Sequence, residues 1–102
     1  MELSDRPTAI FAMNDLMAGG VIDAANEKGL KVPDDLSIIG FDNREFSFFY
    51  TPKLTTIKLP LNEMGKAAAE ALIGMMDKKT DVRERLIKCR CELVELDSVK
   101  VV

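Results

Sequence analysis

The chain has 102 residues, 47% of them hydrophobic and 30% charged, with 14 basic and 17 acidic side chains and a formal net charge of -3. That is the size and balance of one globular domain, long enough to bury roughly two-thirds of its unfolded surface and too short for a multidomain machine. The absence of histidine excludes Ser-His-Asp triads and HExxH zinc sites, and the acidic balance lacks the positive field on which unaided nucleic-acid binding depends.

Thr8-Ala9-Ile10-Phe11-Ala12-Met13 is a wholly apolar run after Pro7, the pattern of a strand covered on both faces in a parallel sheet. Asn14 or Asp15 caps a helix in which apolar residues recur at Leu16, Met17, Val21, Ile22, Ala24 and Ala25, and Gly29 provides a left-handed stop. Gly19-Gly20 inside this helix costs about 1 kcal/mol per residue relative to alanine, which predicts close packing against another backbone. Leu36-Ser37-Ile38-Ile39-Gly40-Phe41 is a second apolar strand, ending on Asp42-Asn43. Strand, helix and strand with short joins make a βαβ unit, and ligands of open α/β sheets sit beyond the carboxyl ends of the strands. Asn14-Asp15 and Asp42-Asn43 occupy those ends, where a helix cap and turn chemistry are the structural alternatives to ligand contact.

The segment from Arg44 to Pro52 holds four of the six aromatic residues, as a lid over the core or as a subunit contact. Leu54 to Leu59 is β-branched and extended, and Pro60 introduces a helix with apolar residues at Leu61, Met64, Ala68, Ala71, Leu72, Met75 and Met76. Its methionines are expected to pack in a core. Asp77 to Arg85 is a charged loop. From Leu86 to Leu93 apolar and charged residues alternate, so Cys89 and Cys91 fall on the apolar face of a strand, where they are expected to be buried, reduced and hydrophobic in role. A disulfide at this spacing is strained, a metal lacks further ligands, and no cofactor is implied. No apolar run approaches the ~20 residues of a membrane-spanning helix, and the acidic start is unlike a signal peptide, so the expected setting is cytoplasmic without a membrane partner. A receiver domain needs an acidic pair after its first strand and a late lysine around magnesium, which the motif order does not fit. An enzyme using Asp42 or Asp15 as general base lacks a matched acid, nucleophile or phosphate loop.

Three stretches in order carry a resemblance: Pro7 to Ala18, Gly29 to Asn43, and Pro52-Lys53-Leu54-Thr55-Thr56-Ile57. From about Arg6 to Ser98 the chain resembles the carboxy-terminal part of the effector-binding region of LacI/GalR-family transcription regulators, purine-repressor-like members included. The resemblance implies an α/β fold, a partial three-layer sandwich of the periplasmic-binding-protein-like type I with a mostly parallel sheet. It implies that residues 1–102 are roughly the last third of a regulator whose helix-turn-helix domain and most of whose first lobe lie outside this chain. Residues 54–60 would cross between lobes, the Pro60 to Asp77 helix would pack on the first lobe, and the final strands would return to the second.

By the same resemblance, Asp42 and Asn14 match ligand-contacting residues, with Asp15 beside them as helix cap or third contact. A carboxylate that accepts from adjacent hydroxyls and an amide that both donates and accepts suit a sugar, nucleoside or base. Met17, Val21, Phe49 and Tyr50 match parts of the family's dimer interface, which implies a homodimer, with operator DNA reached only through the missing amino-terminal domain. Leu59 stands where many members have a cleft glutamine, and Leu96 where arginine is usual. A periplasmic-type sugar-binding fragment and a stand-alone α/β ligand-binding module are the alternatives. None of these readings includes catalysis.

Overall fold

The computed structural model describes residues 5–77 and 86–101. Two compact units are present, one of Met1–Lys58 with Glu92–Val102, the other Leu59–Cys91.

In the first unit, β1 (Ala9–Phe11) and β2 (Ser37–Ile39) pair in parallel, with Ile10 opposite Ile38, and α1 (Asp15–Glu27) connects them. The predicted βαβ unit is therefore present, with strands shorter than the apolar runs that announce them. β3 (Thr56–Lys58) pairs antiparallel with β4 (Glu92–Val94), and a parallel bridge between Ile39 and Thr55 continues the first sheet's order. The core is Ala12, Ala18, Ile22, Ala25, Leu36, Ile38 and Leu54, flanked by Ile10, Val21, Leu30, Val32 and Tyr50.

The buried face of α1 is Asp15, Ala18, Ile22 and Ala25, spaced 3, 4 and 3 residues apart on one side of the helix. Leu16 and Met17, predicted as part of the apolar stripe, are 69% and 53% exposed instead. Helix α1 ends as predicted: Gly29 has φ 74°, its N–H donates to Asn26 O and that of Leu30 to Ala25 O, the paired bonds of a Schellman motif. The predicted packing of Gly19-Gly20 against another backbone is corrected at both positions. A Cβ on Gly19 would stand 2.6 Å from Tyr50 Cζ and closer still to the hydroxyl, so the close neighbour is an aromatic side chain rather than a backbone. A Cβ on Gly20 would meet open space.

Two burial expectations are corrected. β1 is covered on one face, with Phe11 61% exposed, because the second face has no packing layer among the described residues. Cys89 is half-buried and Cys91 exposed, both free thiols. The ladder begins only at Glu92, and β4 itself buries none of its residues, Leu93 being 60% exposed.

The carboxy-terminal segment is locked by hydroxyl groups. Ser98 is fully buried; its Oγ donates to Ile38 O at 2.5 Å and accepts from Thr55 N at 2.8 Å. Thr55 Oγ1 accepts from the backbone N–H of Leu96 at 2.8 Å, a bond that does not depend on the side chain there.

The second unit contains α2 (Leu61–Met76), introduced by Pro60 as predicted and capped by Asp77. No residue of α2 is buried, and Met64, Met75 and Met76 are 41%, 50% and 72% exposed. The expected methionine core is thus not formed within this unit. The rest of the predicted Asp77 to Arg85 loop lies outside the described residues.

Two tests follow from this packing. Ser98→Ala strands two buried backbone groups, so denaturant unfolding should show a loss of about 2 kcal/mol or more; a change near zero would mean that the serine does not hold the segment. Tyr50 donates to Asp15 O at 3.0 Å, and burial, then the charges of Asp15 and Asp23, raise its phenol above its usual value. Folding therefore favours the neutral phenol, and its stabilising effect is intact below pH about 10 and lost as pH rises past it. The stability difference between wild type and Tyr50→Phe should narrow in urea titrations between pH 9 and 11; a constant difference would contradict this.

Candidate functional site

The site is built where the two parallel strands end. The chain turns from β1 into α1 at Asn14, whose extended backbone and Oδ1, accepting from Met17 N at 2.8 Å, make it the N-cap. The expected division of labour between Asn14 and Asp15 is thus corrected: Asn14 is the cap, and Asp15 is the first residue of the helix.

Asp15 is fully buried, and its backbone and side-chain polar atoms are all hydrogen-bonded within the fold. Its Oδ1 accepts from Thr56 Oγ1 at 2.7 Å, its Oδ2 from Arg44 N at 2.7 Å, its N–H donates to Phe41 O and its carbonyl accepts from Tyr50. A carboxylate in the first turn also meets the positive end of the helix dipole. The space around it is tight: a Cβ on Gly40 would clash with Asp15 Oδ1 and stand 2.7 Å from Leu54 Cδ2.

After β2 the chain enters two left-handed residues, Asp42 with φ 113° and Asn43 with φ 55°. Such conformations cost of the order of 1–3 kcal/mol at a residue with a side chain and persist where neighbours enforce them. Strand β3 does so here, as Asp42 N donates to Ile57 O at 2.9 Å and Asn43 N to Thr56 Oγ1 at 3.3 Å. Asn43 Oδ1 is buried without a hydrogen-bond partner among the described residues. The Asp42 side chain is 27% exposed and lies 3.6 Å from Arg44 Nη1. A 3-10 helix, Glu45–Phe49, follows, with Ser47 capping back onto Arg44 O.

Asn14, Asp15, Leu16, Asp42, Arg44 and Phe46 line one cleft of about 250 Å³. The three residues expected to contact a ligand are therefore brought together, although both carboxylate oxygens of Asp15 already accept from the protein. Arg44, Phe46 and Thr56 were not singled out in the sequence. Arg44 and Phe46 enter through the loop conformation, and Thr56, one of a buried threonine pair between Leu54 and Ile57, was the one with a readable signal. Leu59 belongs to the second unit.

A second hollow, of about 470 Å³, lies between α1 and the aromatic segment, lined by Leu16, Gly20, Asp23, Phe49 and Tyr50 among others. Phe49 is 88% exposed and Met17 53%, whereas Val21 and Tyr50 are half-buried against the core. The lid-or-contact alternatives for the aromatic run divide residue by residue: Tyr50 packs inward, with its ring 6.1 Å from that of Phe46, and Phe48 and Phe49 remain open. Among the described residues no cluster of three or more Cys, Asp or Glu side chains could hold a metal ion, and no helix is long and apolar enough to cross a membrane.

Comparison with known proteins agrees with this architecture. The family described as periplasmic binding protein-like domain matches residues 1–99. The HTH-type transcriptional repressor PurR of Vibrio atlanticus is 40% identical over 100 residues, covering 98% of this chain and 30% of the relative. Among solved structures, an uncharacterized protein from Actinobacillus succinogenes superposes with a TM-score of 0.87 at 29% identity, over 97% of this chain and 36% of that one. The lac repressor dimer bound to operator and the anti-inducer ONPF superposes with a TM-score of 0.83 at 32% identity, over 93% and 32% respectively. The chain thus spans about 30% of the length of the curated relative it matches. It belongs to the periplasmic-binding-protein-like domain family, in the form that LacI/GalR-type regulators carry as their effector-binding region.

Proposed function

We propose that this chain is the effector-binding and dimerisation portion of a non-catalytic, cytoplasmic transcription regulator, and that its cleft receives a small molecule such as a sugar, nucleoside or base. The observation that carries this is the meeting of Asn14 and Asp42 in one cleft at the carboxyl ends of adjacent parallel strands. Asp42 supplies acceptors and Asn14 its amide donors, since Asn14 Oδ1 serves the helix cap. Asp15 acts beneath them as a support rather than through a free oxygen. The strained Asp42-Asn43 turn fits a site whose geometry is enforced for a ligand. Residues 54–60 are the crossover by which the chain leaves the effector-binding lobe, in accord with the boundary between the two compact units at Lys58 and Leu59.

Operator DNA is contacted through a helix-turn-helix domain that is no part of residues 1–102, and effector binding shifts operator affinity by binding one conformation more tightly than another. Dimerisation uses the outer side of α1 and the aromatic segment, with Met17, Val21, Phe49 and Tyr50 in the contact. The exposed Met17 and Phe49 and the hollow between those elements support this reading.

In the intact regulator, Asp42→Ala should abolish the effector response while operator binding and thermal stability persist; an unchanged dose-response would remove Asp42 from the site. Asp15→Asn should instead lower stability by about 2 kcal/mol, because it weakens two buried hydrogen bonds to a charged group. A melting temperature equal to wild type would show that Asp15 is not a support. Phe49→Asp should shift the association equilibrium toward monomer in sedimentation at matched concentration, with the circular dichroism spectrum unchanged; unaltered association would exclude Phe49 from the interface.

A further inference from the structure

The ion pair at the cleft bears on which effectors fit. Arg44 follows Asp42 by two residues, with Nη1 3.6 Å from Asp42 Oδ2, and its side chain is 60% exposed against 27% for Asp42. The backbone of Arg44 is held firmly, since its N–H donates to the buried Asp15 carboxylate and the residue caps the 3-10 helix. The root of this side chain is thus fixed while its guanidinium is free to exchange partners. One contact to one carboxylate oxygen engages a small part of a group with five N–H donors, and an ion pair of that length and exposure contributes little.

A ligand that donates to Asp42 competes with Arg44 for the same carboxylate. If the ligand is neutral, the cation is left facing the cleft without a counter-charge. If the ligand carries an anionic group beside its donor, the guanidinium exchanges one oxyanion for another, with geometry suited to a bidentate contact. Phe46, 38% exposed, places an aromatic ring in the same wall.

We propose that Arg44 is the specificity-determining residue of this cleft, and that the effector joins a hydroxyl or amino donor, taken by Asp42, to an oxyanion such as phosphate, taken by Arg44. The proposal rests on the cleft being the effector site. A sugar phosphate and a nucleoside monophosphate share this chemistry.

The test is an amide NMR titration of the chain with glucose, glucose 6-phosphate, guanosine and guanosine 5'-monophosphate, in wild type, Arg44→Gln and Arg44→Lys. Both substitutions leave the Arg44 N–H bond to Asp15 in place, because it is made by the backbone. The phosphorylated member of one pair should perturb the amides of Asn14, Asp42, Arg44 and Phe46 with a Kd about tenfold below that of its neutral partner, the gain of one charge-assisted contact. That preference should vanish in Arg44→Gln and be reduced but not lost in Arg44→Lys, which keeps the charge without the bidentate fork, and the pair that shows it distinguishes a sugar from a nucleoside. Equal binding of neutral and phosphorylated probes, or a preference that survives Arg44→Gln, overturns the role of Arg44 and leaves the cleft as an effector site. Failure of all four probes to perturb these amides in a saturable way counts against the cleft itself, and the proposal falls with it.

Discussion

One buried carboxylate organises the functional end of this fold. Asp15 sits in the first turn of α1, out of contact with water, and receives the Thr56 hydroxyl and the Arg44 amide on its two oxygens. A charge in that position is tolerable only when its acceptors are filled, and here the donors come from two elements distant in sequence. The joint therefore ties three points together: the turn out of β1, the loop out of β2 and the start of β3. The left-handed Asp42-Asn43 turn is the visible consequence, because Thr56 and Ile57 hold its two amides in place. A cleft whose walls are set by a buried joint can present Asn14 and Asp42 to a ligand without reorganising at each encounter.

The same joint explains two glycines that helix and strand propensity would disfavour. Gly40 leaves room for the Asp15 carboxylate and Leu54, and Gly19 leaves room for Tyr50, whose hydroxyl closes onto the Asp15 carbonyl. The far end of the unit is held in a parallel manner by neutral groups. Ser98 and Thr55 bind the last segment to β2 through buried hydroxyl bonds, so the returning chain is fixed by directional contacts rather than by bulk.

Much of the fold was legible because it is locally encoded. Two apolar runs with a capped, glycine-terminated helix between them specify a βαβ unit, and the Schellman stop at Gly29 follows from a single residue type. Asn14 and Asp42 were legible as candidates from their place at the strand ends, and the family resemblance, not the spacing, set ligand contact above the cap and turn roles that such residues also serve. Burial was far less legible. An apolar residue reports that some surface will cover it, and Phe11, Leu16, Met17, Met64, Met75 and Cys91 all remain half or more open or nearly so among the described residues. Periodicity carries no information on which chain supplies the cover.

The sequence by itself determined the order of elements, the helix boundaries, the family resemblance and the polar residues at the strand ends, all of which depend on neighbours within a few positions. Only the tertiary structure decided which of Asn14 and Asp15 caps the helix, why Gly19 and Gly40 carry no side chain, and that Arg44 stands beside Asp42 in the cleft. Those outcomes depend on Thr56, Tyr50 and Arg44, which lie 41, 35 and 29 residues from Asp15, the partner they share. A hydrogen bond over such a separation is decided by how the backbone is packed, and no spacing along the chain records it.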